Sequence, residues 1–182
     1  AGDPKVIVAV CDEGVKYNHP DLIDNMWVNV DEIPDNGIDD DKNGYVDDIH
    51  GWNFLSTTDY PKEIGWAAEG DKGHGTHVAG TVAAVNHNGI GVGGVAGGSG
   101  KGDGVKIMSC QVFSGNSSAT VASRAKAYEY AANNGACILQ CSFGLSGGML
   151  TSDGAFDLSY GVEKVGLDYF FNYRQPYSPV DK

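Results

Sequence analysis

Apolar positions along the chain fall into short blocks of two kinds. Lys5 to Cys11 (KVIVAVC), Val105 to Val112 (VKIMSCQV) and Ala136 to Phe143 (ACILQCSF) are compact, partly β-branched runs without clean alternation. Runs of this kind predict parallel strands covered on both faces. Between them the period changes. GTHVAGTVAAV, residues 75 to 85, and TVASRAKAYEYAANNG, residues 120 to 135, set small or apolar side chains at helical spacing. The second offers a Ser/Thr-rich entry for the N-cap and Gly135 where a helix would end. The order strand, helix, strand, helix, strand predicts an α/β fold: a three-layer, doubly wound, mostly parallel sheet. Residues 88 to 104 are too rich in glycine to hold regular structure cheaply and read as a loop, with no phosphate-loop pattern in them. From Leu145 onward the pattern suggests a helix ending near Arg174.

At 182 residues the chain suits one domain with a single core. Its 24 acidic against 12 basic residues give a formal charge of -12, which argues against nucleic acid or an anionic membrane as partner. The acid is concentrated. Asp31, Glu32, Asp35, Asp39, Asp40, Asp41, Asp47 and Asp48 are offset only by Lys42, so an acidic insert spans about residues 31 to 50. No apolar run approaches the roughly 18 residues of a membrane span, and Ala1-Gly2-Asp3-Pro4 lacks the architecture of a signal peptide. Cys11, Cys110, Cys137 and Cys141 sit inside apolar runs without CxxC spacing and read as buried thiols.

In open parallel sheets functional groups gather at the carboxyl ends of strands. Asp12 stands there, with Gly14 to turn the chain behind it. Alone, it reads first as an ordinary strand-ending Asp that caps a turn. His74 opens the helical segment of small residues and, alone, reads equally as a core histidine. His74 and His77 lie three apart, but no HExxH pattern or cysteine pair supports zinc.

Together the two stretches carry a resemblance. VIVAVCDEGVKYNHPDL, residues 6 to 22, and GHGTHVAGTVAAVNHNGIGVGGVAGG, residues 73 to 98, resemble the Asp and His motifs of the subtilisin-like serine proteases, the subtilases. VKIMSCQVFS and AYEYAANNGACILQCSFG continue the likeness, in order, to Gly144. The resemblance implies that Asp12 orients His74 and that His74 is the general base toward a serine. It makes His77 a packing residue, with Gly75 and Thr76 shaping the turn. Ser142, Phe143 and Gly144 match the strand along which extended peptide substrate pairs, and the stretch from Ser114 to Ser118 would form the opposite wall. Glu13 departs from the family, which carries a small hydroxyl residue there, and is expected to face solvent.

The acidic insert suggests calcium. In DDDKNGYVDD, residues 39 to 48, Asp39, Asp41, Asn43 and Asp47 occupy positions 1, 3, 5 and 9 of a calcium-loop pattern, with the Tyr45 carbonyl at position 7. Position 12 falls on His50, so closure would need Asp48, Asp35 or water. The alternative is a solvated acidic loop. The resemblance implies a second calcium site, formed by Asp21 with VNHNGIGV, residues 85 to 92. Asn86, Asn88, Ile90 and Val92 are its candidate ligands. One extra residue leaves open whether Asn86, His87 or Asn88 supplies the side-chain oxygen.

A subtilase also needs a serine in a Gly-Thr-Ser-Met-Ala type motif and an oxyanion asparagine, and neither motif occurs in these residues. The expectation is therefore the amino-terminal part of a larger catalytic domain, incomplete on its C-terminal side and inactive alone, with an unpaired sheet edge open to oligomerisation. Expected partners are an extended peptide or protein substrate and the missing C-terminal part. The alternative is a non-catalytic protease-like or calcium-stabilised binding domain. A secreted or cell-envelope location accords with calcium and with the family habit.

Overall fold

The computed structural model describes residues 2–55, 73–115 and 117–143. The suggested helix near Arg174 and the residue Gly144 lie outside the described residues. Among the described residues the three apolar runs supply three strands of a four-stranded parallel sheet. β1 (Ile7–Asp12) pairs with β3 (Lys106–Gln111) on one side and with β6 (Ile138–Gln140) on the other, and β2 (Gly51–Asn53) adds to the far side of β3. The register sets Val10 opposite Ser109 and Asp12 opposite Gln111.

Alternation along β1 decides which residue meets which layer. Val8 and Val10, with Ile107, pack against Ala79 and Ala83 of α1 (His74–Ala83). Ala9 and Cys11, with Met108 and Cys110, face the opposite way onto Ala127, Tyr128 and Ala131 of α2 (Val121–Asn133). The sheet is thus covered on both faces, which explains why its strands read as continuous apolar runs. Small residues at Gly75, Ala79, Gly80 and Ala83 form the buried side of α1. Asn25, itself buried, donates to the carbonyls of Ala83 (2.8 Å) and Gly97 (3.2 Å) and so ties the helix end to the glycine-rich loop.

Both ends of α2 behave as the sequence predicts. Thr120 accepts a capping hydrogen bond from the Ser123 N–H at 3.1 Å, and Gly135 takes a positive φ of 94° just past the last turn. Residues 88 to 104 form no regular element. The third strand is shorter than expected. It stops at Gln140 rather than Phe143, because Phe143 leaves the sheet to set its ring edge-on against Phe113, 4.8 Å between centroids. Phe113 belongs to a small hairpin, β4 (Phe113–Ser114) with β5 (Ser117–Ser118), inside the stretch expected to form a groove wall. The cysteines divide: Cys11 and Cys110 are buried, but Cys137 is half-buried and Cys141 exposed, since the early end of β6 leaves Cys141 outside the core. All four are free thiols.

Candidate active site

β1 and β3 are neighbours, and the chain leaves them toward α1 on one face and α2 on the other. The carboxyl end of β1 is the place where functional groups of an open parallel sheet gather. Asp12 is the last residue of β1 and 2% exposed. His74 is the first residue of α1, and its Nδ1 lies 2.8 Å from Asp12 Oδ1 and 3.0 Å from Oδ2. An ionised carboxylate only accepts, so this geometry places the imidazole proton on Nδ1. The imidazole is about one-third exposed, whereas the carboxylate beneath it is shielded from water.

Three backbone features bring the pair together. Gly73 at φ 88° turns the chain into α1, a conformation that costs other residues energy. Gly75 lets the first turn of α1 press on the Gly14 carbonyl, where an added Cβ would overlap that oxygen and sit 3.1 Å from Asp12 Cβ. The chain after Asp12 is also pinned: Glu13 N–H donates to Asp12 Oδ1 (2.8 Å), Val15 N–H to Ser109 Oγ (3.1 Å) and Lys16 N–H to Thr76 Oγ1 (3.0 Å). Glu13 does not face solvent as expected. It is 9% exposed, lying against the buried end of β1 where its N–H donates to Asp12 Oδ1. His77 is exposed on the outer side of α1 and is not a packing residue, because the helix buries the Gly75, Ala79 and Ala83 side instead.

Ser142 and Phe143 lie beyond the end of β6 and not within a strand. The Ser142 hydroxyl accepts from Gln140 Nε2 at 2.7 Å.

In the acidic insert, Glu32, Asp39 and Asp41 converge, with one oxygen from each lying within 4.8 Å of the others. Asn43 is part of the same knot, donating through its side chain to Asp41 and Asp48, each at 3.0 Å. The carboxylate that meets Asp39 and Asp41 is Glu32, not Asp48 or Asp35. Glu32 is 6% exposed and takes the N–H groups of Asp40, Asp41 and Asp47. Asp47 turns the other way and holds the N–H groups of Asn36 and Gly37. Tyr45 points its ring into an aromatic cluster with Trp52, Phe54 and Tyr130. Asp48 reaches Tyr130 Oη at 2.7 Å, and burial pushes its carboxyl up to about 6 against hydrogen bonds from Tyr130, Asn29 and Asn43.

At the second loop, Asp21 is buried and accepts from Asn88 Nδ2 (2.7 Å) and from Val92 N–H (2.9 Å). Ile90 donates its N–H to Asn88 Oδ1. Asn86 turns aside and binds the carbonyls of Gly94 and Gly98, so Asn88 is the amide beside Asp21. Gly91 passes so close to Asp21 that a Cβ there would overlap the carboxylate. The groups that converge in each loop, Glu32, Asp39 and Asp41 in one and Asp21 beside Asn88 in the other, are hard oxygen donors of the kind that suits calcium better than a transition metal.

The sequence reading missed Glu32 as a partner of Asp39 and Asp41, although it is the lone glutamate among the eight acids and has the longest reach. It also missed Ser109, which a reading based on strand burial alone treats as filler.

Residues 3–165 match the Subtilase family. The chain belongs to that family. As a subtilase it is 37% identical over 137 residues to subtilisin-like protease 1 of Plasmodium vivax, covering 75% of this chain and 20% of that protein. It is 32% identical over 143 residues to halolysin of Haloferax mediterranei, covering 79% of this chain and 22% of the relative. The subtilase chain thus spans about a fifth of the length of these relatives. Its fold resembles that of fervidolysin from Fervidobacterium pennivorans, a keratinolytic enzyme related to subtilisin (TM-score 0.58, 24% identity, 92% of this chain and 20% of that one). It also resembles the nisin leader peptidase NisP of Lactococcus lactis (TM-score 0.53, 26% identity, 94% of this chain and 42% of that one). Among the described residues no helix is long and apolar enough to cross a membrane.

Proposed function

We propose that Asp12 and His74 are the orienting acid and the general base of a serine endopeptidase triad. The hydrogen bond of 2.8 Å between a buried carboxylate and a partly exposed imidazole, at the carboxyl end of β1, carries this reading. With Nδ1 held by Asp12, Nε2 is the atom that takes the proton of a serine hydroxyl as it attacks a peptide carbonyl. Asp12 then stabilises the imidazolium so formed, and Nε2 returns the proton to the departing amine. The serine and the oxyanion amide are not supplied by the motifs in this sequence. The 182-residue chain by itself is therefore expected to hydrolyse nothing, and the substrate of the whole protein is an extended peptide or protein pairing along Ser142, Phe143 and Gly144.

Calcium is the structural cofactor in this proposal. Glu32, Asp39, Asp41 and Asn43 would hold one ion in the insert. Asp21 and Asn88, with the carbonyls of Ile90 and Val92, would hold another. Bound calcium would supply positive charge that offsets crowded carboxylates and fixes both loops. Such sites fill most readily outside the cytosol, which supports a secreted or cell-envelope location.

The test uses two polypeptides: this chain, and a longer product extended to a Gly-Thr-Ser-Met-Ala type segment. The longer product is expected to cleave casein and to react with a fluorophosphonate. The chain alone is expected to do neither, and His74→Ala in the longer product should abolish cleavage. Cleavage that survives His74→Ala would overturn the assignment.

A further inference from the structure

Residues 13 to 16 connect the carboxylate to the rest of the molecule, yet belong to no strand or helix. No ladder supplies partners for the N–H groups of Val15 and Lys16, and two side-chain hydroxyls do so instead. Ser109 Oγ accepts from Val15 N–H at 3.1 Å across 94 residues of sequence, and both residues are fully buried. Thr76 Oγ1 accepts from Lys16 N–H at 3.0 Å.

The placement of these two hydroxyls is specific. Ser109 lies opposite Val10 in the register, on the same face of the sheet as Asp12, so it grips the outgoing chain from the strand beside β1. Thr76 stands two residues after His74 in the first turn of α1, so it grips the same chain from the helix that carries the base. Through the backbone of residues 15 and 16, the position of Asp12 is thus referenced both to the sheet and to the histidine's own helix. Removing the Ser109 hydroxyl leaves the buried Val15 N–H unpaired, and removing that of Thr76 takes the acceptor from a half-buried Lys16 N–H, so in each case the backbone moves to find another partner. Hydrogen bonds of 2.8 and 3.0 Å leave little room for such movement.

We propose that Ser109 and Thr76 are positioning residues for the Asp12–His74 couple: by fixing the chain that leaves Asp12, they hold the carboxylate at bonding distance from Nδ1. This deepens the proposed function and rests on its assignment of the couple as acid and base. The geometric part can be tested without catalysis.

The measurement is NMR of the 182-residue chain with 15N-labelled histidine, following the Nδ1-bound proton of His74. The resonance is assigned by its loss in His74→Ala and in Asp12→Asn. Ser109→Ala and Thr76→Val are expected to broaden or shift that resonance and to lower the share of the Nδ1-protonated tautomer, whereas Thr76→Ser restores both. Val8→Ala, which loosens the same core without touching either hydroxyl, is expected to leave the signal unchanged. A wild-type signal in folded Thr76→Val overturns the proposal, and so does an equal change in Val8→Ala. Should Ser109→Ala fail to fold, Thr76→Val at its half-buried site carries the test. In the longer product, Thr76→Val is expected to lower kcat about tenfold with KM within about twofold. If the resonance responds as expected but cleavage survives His74→Ala, the catalytic reading fails and the positioning role stands. If cleavage needs His74 but Thr76→Val leaves the resonance and kcat unchanged, the reverse holds.

Discussion

Gly75→Ala sets two effects of opposite sign against each other. Gly75 is the second residue of α1 with helical backbone, and alanine there gains at most about 1 kcal/mol from helix propensity alone. A methyl at this position, however, overlaps the Gly14 carbonyl oxygen and sits 3.1 Å from Asp12 Cβ and 3.2 Å from Asp12 Oδ1. The obstruction is mainly backbone and cannot rotate away. To regain ordinary contact, α1 and the turn after β1 must part by about 1 Å. Overpacking of this kind costs about 1–3 kcal/mol, so the sum is net destabilisation of up to about 2 kcal/mol. The same parting would stretch the 2.8 Å bond between His74 and Asp12 toward the limit of hydrogen bonding. Urea unfolding of the 182-residue chain measures the first effect and the His74 Nδ1 proton the second. A Gly75→Ala variant more stable than the parent by about 1 kcal/mol, with its imidazole signal intact, would refute the close approach and the reasoning built on it.

Asp12→Asn in the longer product is expected to lower kcat about 10,000-fold with little change in fold, since an amide favours the wrong imidazole tautomer; steady-state peptide hydrolysis and circular dichroism together check this. Calcium at about 100 times its dissociation constant should stabilise the chain by about 2.7 kcal/mol per site. Chelator titration followed by thermal unfolding reads this, Asp21→Asn and Glu32→Gln each removing part of the gain. A melting temperature indifferent to calcium would count against both loops. At pH 8 an alkylating reagent should label Cys141 but not Cys11 or Cys110 until urea is added, as peptide mass spectrometry would reveal. The contact with Cys110, then burial, hold the Cys11 thiol well above its ordinary range, with Cys141 partly opposing. In the unfolded chain that thiol ionises first, so this contribution to stability is complete below pH about 8.5 and is lost as the pH rises further. Cys11→Ala should flatten the decline in urea midpoint between about pH 8.5 and 10.

What could be read in the sequence was whatever rested on periodicity or on a residue's special backbone. β1, β3, both helices and the cap at Thr120 follow from apolar spacing and turn chemistry, and Asp12 and His74 from the resemblance of their two stretches to the Asp and His motifs of the subtilases. β2 was not legible, since Gly51–Asn53 has no pattern of its own and becomes a strand only because β3 offers an edge. The extent of β6 depended on a ring contact between residues 30 apart in sequence, Phe113 and Phe143. The grouping of Glu32 with Asp39 and Asp41 needed the fold of the insert, because spacing alone left closure open among Asp48, Asp35 and water. Asp48 accepts from Asn29 and Asn43 within the insert and from Tyr130, and so joins the insert to the aromatic core.

The alternation in β1 sets Cys11 toward α2 and Asp12 toward α1, one residue apart. Deleting or inserting a single residue between Ile7 and Cys11 would exchange them, sending the carboxylate into the aromatic layer and the thiol toward His74. Substitutions in this strand can be absorbed one side chain at a time, but a change of length by an odd number of residues cannot. Gene variants of this chain should therefore differ in spelling across residues 7 to 12 and not in length, while the glycine-rich loop and the acidic insert carry the insertions and deletions.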